Sequence, residues 1–376
     1  MLRVETDDGE VGWGEAIGDL HQEVEQALNA IGERVQGSSI HDISKLVETQ
    51  RKNRFWRDGP VLDTAVSALE MALWDLKGKL LGAPVHDLLG GRVRERVRVY
   101  RNLWGRNPEE FANSAKEAIS NSMTAVKVSP AGPTTDVISR FHMDEMEAVV
   151  SAVRDAVGPA IDVAIDLHGR LTPAASRRAI HALSKYDPFF IEEPCLPDGS
   201  ASHLADLRAL RTAQPVAIAT GERLRSAHAF AEHLLPSPVV DIIQPDVSMV
   251  GGIRASVEIG AMASAAQVAM APHCPYGPVQ FAASMQVAAT SPAHLIQEFQ
   301  SLGGAGSGGG TPGGGQNWAF ELLSQPFVIE SGHVEISSRP GLGITILEER
   351  IAEHMDMWNP HPPTVWNHPD GSHAEW

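Results

Sequence analysis

The sequence predicts an α/β protein: a closed barrel of parallel strands in a (β/α)7β arrangement, with an α+β cap built from both chain ends. Three observations predict it. From about residue 94, short apolar runs alternate with amphipathic helical segments. Seven ionisable residues sit at or just past the ends of those runs: Lys127, Asp166, Glu192, Glu222, Asp246, His273 and Glu298, at steps of 39, 26, 30, 24, 27 and 25 residues. A step of roughly 25–30 residues is what one strand, one turn and one helix require. Finally, the rhythm is absent from both ends of the chain. In a closed parallel barrel the C-terminal strand ends share one mouth, so these seven groups would converge there. The competing reading is a set of buried ion pairs on unrelated strands, which would not keep such a period.

The elements follow in order. LRVETDDGEVGWGEA alternates apolar and polar residues around a DDG turn, the pattern of a β-hairpin. Helical periodicity covers His21 to Val35 and Ile43 to Lys52. Asn53 to Pro60 breaks it with an aromatic pair and a Gly-Pro, the signature of a mobile loop. The segment starting at Val61 is a long amphipathic helix with Val66, Leu69, Ala72, Leu73 and Leu76 on one face, stopped by Gly82 and Pro84. VRVYR then begins eight strands separated by seven helices, the last strand being HLIQE. From about Phe327 a strand–turn–strand and a short helix (Leu347 to Met357) read as a return to the cap. The expected division is a cap over 1–93, a barrel over 94–320 and a returning segment over 321–376. Segment 302–315, LGGAGSGGGTPGGG, has almost no apolar content and is expected to be a flexible loop at the mouth. A phosphate cradle there would need a preceding strand, a Lys-Ser/Thr pair and a following helix, which are missing.

Bulk properties narrow the function. The 376 residues carry a formal net charge of −17, which argues against nucleic acid and anionic membrane partners. Cys195 and Cys274 are the two cysteines, far apart, so neither a disulfide framework nor a zinc–thiolate site is expected, and a reducing cytoplasm is the natural compartment. The N-terminus lacks the pattern of a signal peptide, and no apolar run is long enough to span a membrane.

The strand-end residues imply a chemistry. Asp166, Glu192 and Glu222 on successive strands would repel one another without a counter-cation. An all-oxygen trio suits Mg²⁺ better than Zn²⁺. His273 lies between prolines in APHCPYGP, one unit after Asp246. A buried Asp sets the tautomer of such a His and raises its basicity, as a general base requires. His168 follows Asp166 by two residues, and residues i and i+2 of a strand face the same side, so His168 is expected to point into the mouth opposite His273. Two histidines flanking the metal could divide proton removal from protonation of a leaving hydroxyl. Lys127 would add positive charge near a substrate carboxylate, or pair with Asp166 or Glu192. The loop around Phe55, Trp56 and Arg57, with the turn from Asp19 to His21, is the expected substrate lid.

With ETDDGEVGWGE, ALWDLKGKLLGAPV, IDLHGR, FFIEEP, GERL, DIIQPDVSMVGGI, APHCPYGP, PGLGI and WNHPDGSHAEW together, the chain resembles the enolase superfamily in its mandelate racemase and muconate lactonizing branch. The resemblance spans nearly the whole chain. It implies a modified TIM barrel, a soluble homo-oligomer and a small sugar-acid substrate. It also implies Asp166, Glu192 and Glu222 as Mg²⁺ ligands, His273 as base oriented by Asp246, His168 as acid, and Glu298 hydrogen-bonded to a developing enediolate. Lys127 matches the first lysine of the branch's Lys-x-Lys motif, but Ser129 stands at the second. That departure favours an acid-sugar dehydratase over a racemase, epimerase or cycloisomerase. Gluconate, arabinonate and mannonate stay open as substrates beside the preferred one. Family members usually carry one more strand before the first hairpin, so the resemblance implies either a start assigned too late or a cap sheet short of that strand.

Overall fold

A computed structural model describes residues 1–18, 20–52, 55–134, 137–197, 201–213, 215–300, 318–355, 365–368 and 370–374. The glycine-rich segment and the tip of the expected lid at Asn53 and Arg54 lie outside them, as do Asp19 and the residues following Met355 to 364.

The cap begins with β1 (Leu2–Glu5) and β2 (Val11–Gly14), an antiparallel hairpin pairing Leu2 with Gly14 and Glu5 with Val11. Helices α1 (His21–Val35), α2 (Ile43–Lys52), α3 (Pro60–Leu81) and α4 (Val85–Leu88) follow. The sequence predicts one apolar face for α3, yet the helix is buried on nearly every side between Asp63 and Gly78. The reason is its position. The hairpin, α1 and α2 pack on it from the cap, and the barrel meets it from below. Pro60 starts it and Gly82, at φ 63°, ends it by accepting the left-handed turn.

The barrel alternates strand and helix: β3 (Arg96–Asn102), α5 (Pro108–Ser120), β4 (Ala125–Val128), α6 (Arg140–Val157), β5 (Asp162–Asp166), α7 (Pro173–Leu183), β6 (Ile191–Glu192) and α8 (Ala201–Ala213). It continues with β7 (Ile218–Thr220), α9 (Ala227–Leu234), β8 (Ile242–Ile243), α10 (Ile253–Ala265), β9 (Ala269–Met270), α11 (Pro278–Thr290) and β10 (Gln297–Glu298). Strands β3 to β9 pair in sequence order, all parallel. β10 pairs with β3, and His294 just before it forms an isolated parallel bridge with Met270 of β9. The barrel interior is filled by small and aromatic side chains, among them Tyr100, Ala125, Ala164, Phe190, Ala219, Ala271 and Ile296. It is a packed core, which confines chemistry to the mouth.

The closing hairpin, β11 (Ile329–Glu330) and β12 (His333–Glu335), lies antiparallel on the first half of β3, on the barrel. The chain returns to the cap after it. The Leu342 N–H donates to Asp75 of α3 at 2.8 Å, and Arg3 of β1 pairs with Glu348 of the final helix α12 (Glu348–Met355) at 3.2 Å. No helix among the described residues is long and apolar enough to cross a membrane.

Cap and barrel are locked at helix ends. α10 starts at Gly252, which has no capping side chain. Glu70 of α3 caps it instead, accepting from the N–H groups of Ile253 at 2.7 Å and Arg254 at 3.0 Å. A Cβ on Gly252, already at φ 89°, would collide with that carboxylate. Burial pushes Glu70 up to about 7 even though three N–H groups donate to it. A carboxyl whose folded pKa exceeds its unfolded value is most stabilising while protonated. This contribution, of order 3 kcal/mol, is therefore lost as pH rises from about 4.5 to about 7. Glu70→Gln should unfold at lower temperature than the parent at pH 5, with the difference narrowing by pH 7.5. A melting-temperature difference independent of pH would contradict this account.

Candidate active site

The strand ends deliver their residues to one place. Lys127 lies within β4, Asp166 ends β5, Glu192 ends β6 and Glu298 ends β10. Glu222 stands two residues past β7, and Asp246 and His273 three residues past β8 and β9. One carboxylate oxygen from each of Asp166, Glu192 and Glu222 falls within a 4.8 Å cluster. All three donors are hard oxygens without imidazole or thiolate, which fits Mg²⁺.

Lys127 is buried amid carboxylates: its Nζ lies 2.5 Å from Glu192 Oε1, 3.3 Å from Asp166 Oδ2 and 3.4 Å from Glu298 Oε1. Burial alone would lower the Lys127 ammonium, but Glu192 and Glu298 hold it well above its usual value. Glu192 is raised well above the carboxylate range by burial and by the charge of Asp166. Asp166 is held well below it, because His168 and Lys127 outweigh burial. Carboxylates outnumber cations here, and a divalent ion would redress that imbalance.

His273 donates through Nδ1 to Asp246 Oδ2 at 2.8 Å, which leaves Nε2 facing Glu222 Oε2 at 3.6 Å. Burial alone would lower His273; the Glu222 charge and the Asp246 bond raise it to about 10. His168 reaches the same cluster, with Nε2 3.0 Å from Asp166 Oδ2. Its route differs from the expected strand alternation. β5 stops at Asp166, and His168 sits in a turn at φ 51°, its N–H donating to Asp166 Oδ1 at 2.8 Å. The carboxylate therefore holds both the backbone and the ring of His168. Glu298 accepts from Asn102 Nδ2 and from the Cys274 N–H, both at 2.6 Å. Burial would raise it, but Lys127, His273 and these donors keep it below its ordinary value.

Of the expected lid residues, Trp56 is 84% exposed and meets Phe55 edge-to-face at 5.2 Å. His21 opens α1, half-buried, and Arg57 is exposed. It is Asp58 and Asp63, from the same stretch, that line a cavity of about 380 Å³ with Arg223 and Arg225.

Sequence reasoning missed several contributors. Gln244 donates to Glu192 Oε2 at 2.6 Å; its place two residues before Asp246 was the available signal. Glu193, fully buried at φ 42° and raised to about 7 by burial and Glu222, accepts from Thr220 Oγ1 and from the Gly221 N–H. Arg223 donates to the His168 carbonyl at 2.7 Å. Arg170, lowered to about 10 by burial, lies 4.3 Å under the ring of Trp366 from the C-terminal segment.

Comparison with known proteins places the two domains in a family. Residues 1–90 match the domain model for the mandelate racemase / muconate lactonizing enzyme N-terminal domain, and residues 110–350 match that for the enolase C-terminal domain-like fold. A D-galactonate dehydratase of Variovorax paradoxus is 36% identical over 100% of this chain and 96% of its own. A D-gluconate dehydratase of Thermoproteus tenax is 35% identical over 94% of this chain and 69% of its own. Among solved structures, an enolase from Agrobacterium radiobacter with bound Na and L-malate superposes with a TM-score of 0.87 at 28% identity, covering 99% of this chain and 94% of that one.

Proposed function

The chain belongs to the mandelate racemase and muconate lactonizing enzyme family of the enolase superfamily, and from that premise we propose that it is a Mg²⁺-dependent sugar-acid dehydratase acting on D-galactonate. The dehydratase class is supported by relatives that share both domains and carry that name. The observation that carries the reaction type is the pair of histidines flanking the carboxylate trio, His273 beside Glu222 and His168 beside Asp166. A two-histidine site can take a proton at one carbon and give one to a hydroxyl on the next.

Asp166, Glu192 and Glu222 would hold the Mg²⁺. When bound, the ion would supply positive charge against the substrate carboxylate and the enediolate. Glu222 is the main charge raising His273; with that carboxylate engaged by a cation, the imidazole would stand neutral and would take the proton α to the substrate carboxylate through Nε2. Asp246 keeps Nδ1 protonated and favours the imidazolium that results. Lys127 adds positive charge beside the developing dianion. Glu298, held as an acceptor by Asn102 and Cys274, suits a hydrogen bond from an enol O–H. His168 protonates the departing 3-hydroxyl, water leaves, and the enol tautomerises to a 2-keto-3-deoxy acid. His21, Trp56 and Arg57 belong to the segments we assign to closing over the sugar chain.

The test is a screen of galactonate, gluconate, arabinonate and mannonate with and without EDTA, read as 2-keto-3-deoxy product. Galactonate should turn over and lose turnover with EDTA. Turnover of another acid would keep the mechanism and move the substrate. Deuterium entering Cα without loss of water would replace dehydration by epimerisation.

A further inference from the structure

The dyad His273–Asp246 is tied to a residue more than two hundred positions away, in the cap. α11 begins at Pro278 directly behind the His273 loop, and its N-cap Gly277 supplies no side chain. The free N–H groups of Val279 and Gln280 donate instead to Glu15 Oε2, at 3.0 and 2.8 Å. Glu15 is buried, immediately after β2, and a Cβ at Gly277 would collide with its carboxylate. The cap thus provides the helix-capping group that the barrel sequence lacks.

Gln280, whose N–H Glu15 holds, carries the contact onward. Its side-chain Oε1 accepts from the Tyr276 N–H at 3.0 Å, inside the His273 loop. Its Nε2 donates to Asp246 Oδ1 at 2.8 Å. That oxygen also takes the Ser248 N–H at 2.7 Å, leaving Oδ2 for His273 Nδ1 at 2.8 Å. Glu15, Gln280, Asp246 and Ser248 are buried, and His273 and Tyr276 are partly so, which leaves each link few alternative partners and lets the geometry pass from one to the next.

We propose that Glu15 and Gln280 are positioning residues for the acid–base imidazole: Glu15 sets the start of α11, and Gln280 sets the Asp246 carboxylate that aims His273. The proposal rests on the reading of His273 as the base. It makes an assembled cap a requirement for the proton-transfer step, separately from any lid the cap forms. Partners of ligand-orienting groups typically change activity by ~10–100-fold when removed.

The experiment uses the full chain with ¹⁵N-labelled histidine. The Nδ1–H proton of His273 is assigned by its disappearance in His273→Asn. Gln280→Met keeps side-chain volume but removes the donor to Asp246, and Glu15→Gln keeps one acceptor for α11. Both should displace or broaden the Nδ1–H resonance and lower kcat by about tenfold to a hundredfold, with KM within about threefold. Glu15→Ala should be more severe than Glu15→Gln; if it fails to fold, Gln280→Met still decides. An unmoved resonance in both Glu15→Gln and Gln280→Met overturns the proposal. So does an unchanged kcat with loss confined to the melting temperature. If the parent protein turns over no sugar acid, the functional reading fails, and the resonance alone decides whether Glu15 and Gln280 position the ring.

Discussion

Replacing His273 with Asn abolishes turnover of the sugar acid and leaves Mg²⁺ binding intact. The loss should reach at least about 10³-fold, within the range that a positioned general base contributes. Asn retains a donor toward Asp246, so the buried carboxylate keeps a partner at the position where Nδ1 stood 2.8 Å away. None of the three cluster carboxylates is altered, and calorimetric titration should therefore return a Mg²⁺ affinity close to the parent's. Wild-type activity in this variant would disprove the base assignment. The companion His168→Asn separates the two proton transfers. It should lose dehydration while still exchanging the α-proton with D₂O, because His273 continues to act on the other side of the trio. Loss of exchange together with dehydration would mean that His168 is needed before the leaving group departs.

Lys127→Met should produce the largest stability change in the barrel. Its ammonium contacts Glu192, Asp166 and Glu298 within 3.4 Å, and all four groups are buried. Removing one partner of a buried ionic cluster leaves uncompensated charge and typically costs ~3–5 kcal/mol. In a chain of this size that corresponds to a drop of roughly 4–6 °C in melting temperature without metal. The drop should be larger at pH 8 than at pH 5, where the carboxyls can take up protons instead. Added Mg²⁺ should recover much of it, since the same oxygens would regain a cation. A melting temperature unaffected by the substitution at either pH would show that Lys127 is not the counter-charge of this cluster.

The barrel was legible because strand length, helix length and turn chemistry are local properties with a repeat. Lys127, Asp166, Glu192, Glu222, Asp246, His273 and Glu298 could be picked out by their place at or after apolar runs, and all seven meet at the mouth. His168 was picked for a reason that the backbone does not use. A left-handed turn carries it to Asp166, and nothing in IDLHGR distinguishes that turn from a continuing strand. The burial of α3 was also misread, because its apolar face points to its own domain while its polar residues are buried as partners of others. Asp75 takes the N–H groups of Trp13 and Leu342, and Glu70 takes those of α10.

The sequence by itself determined the class of site, since a trio of carboxylates at successive strand ends and an Asp–His pair can be recognised by residue type and by period along the chain. Tertiary structure alone decided how those groups are held. Glu15 meets Gln280 across 265 residues and Glu70 meets Arg254 across 184. The physical reason is that a helix end leaves its N–H groups unpaired, and burial makes a partner obligatory without specifying where in the chain it comes from. Period and propensity describe neighbours along the chain. The bonds that aim the imidazole join groups that become neighbours only when the cap closes on the barrel.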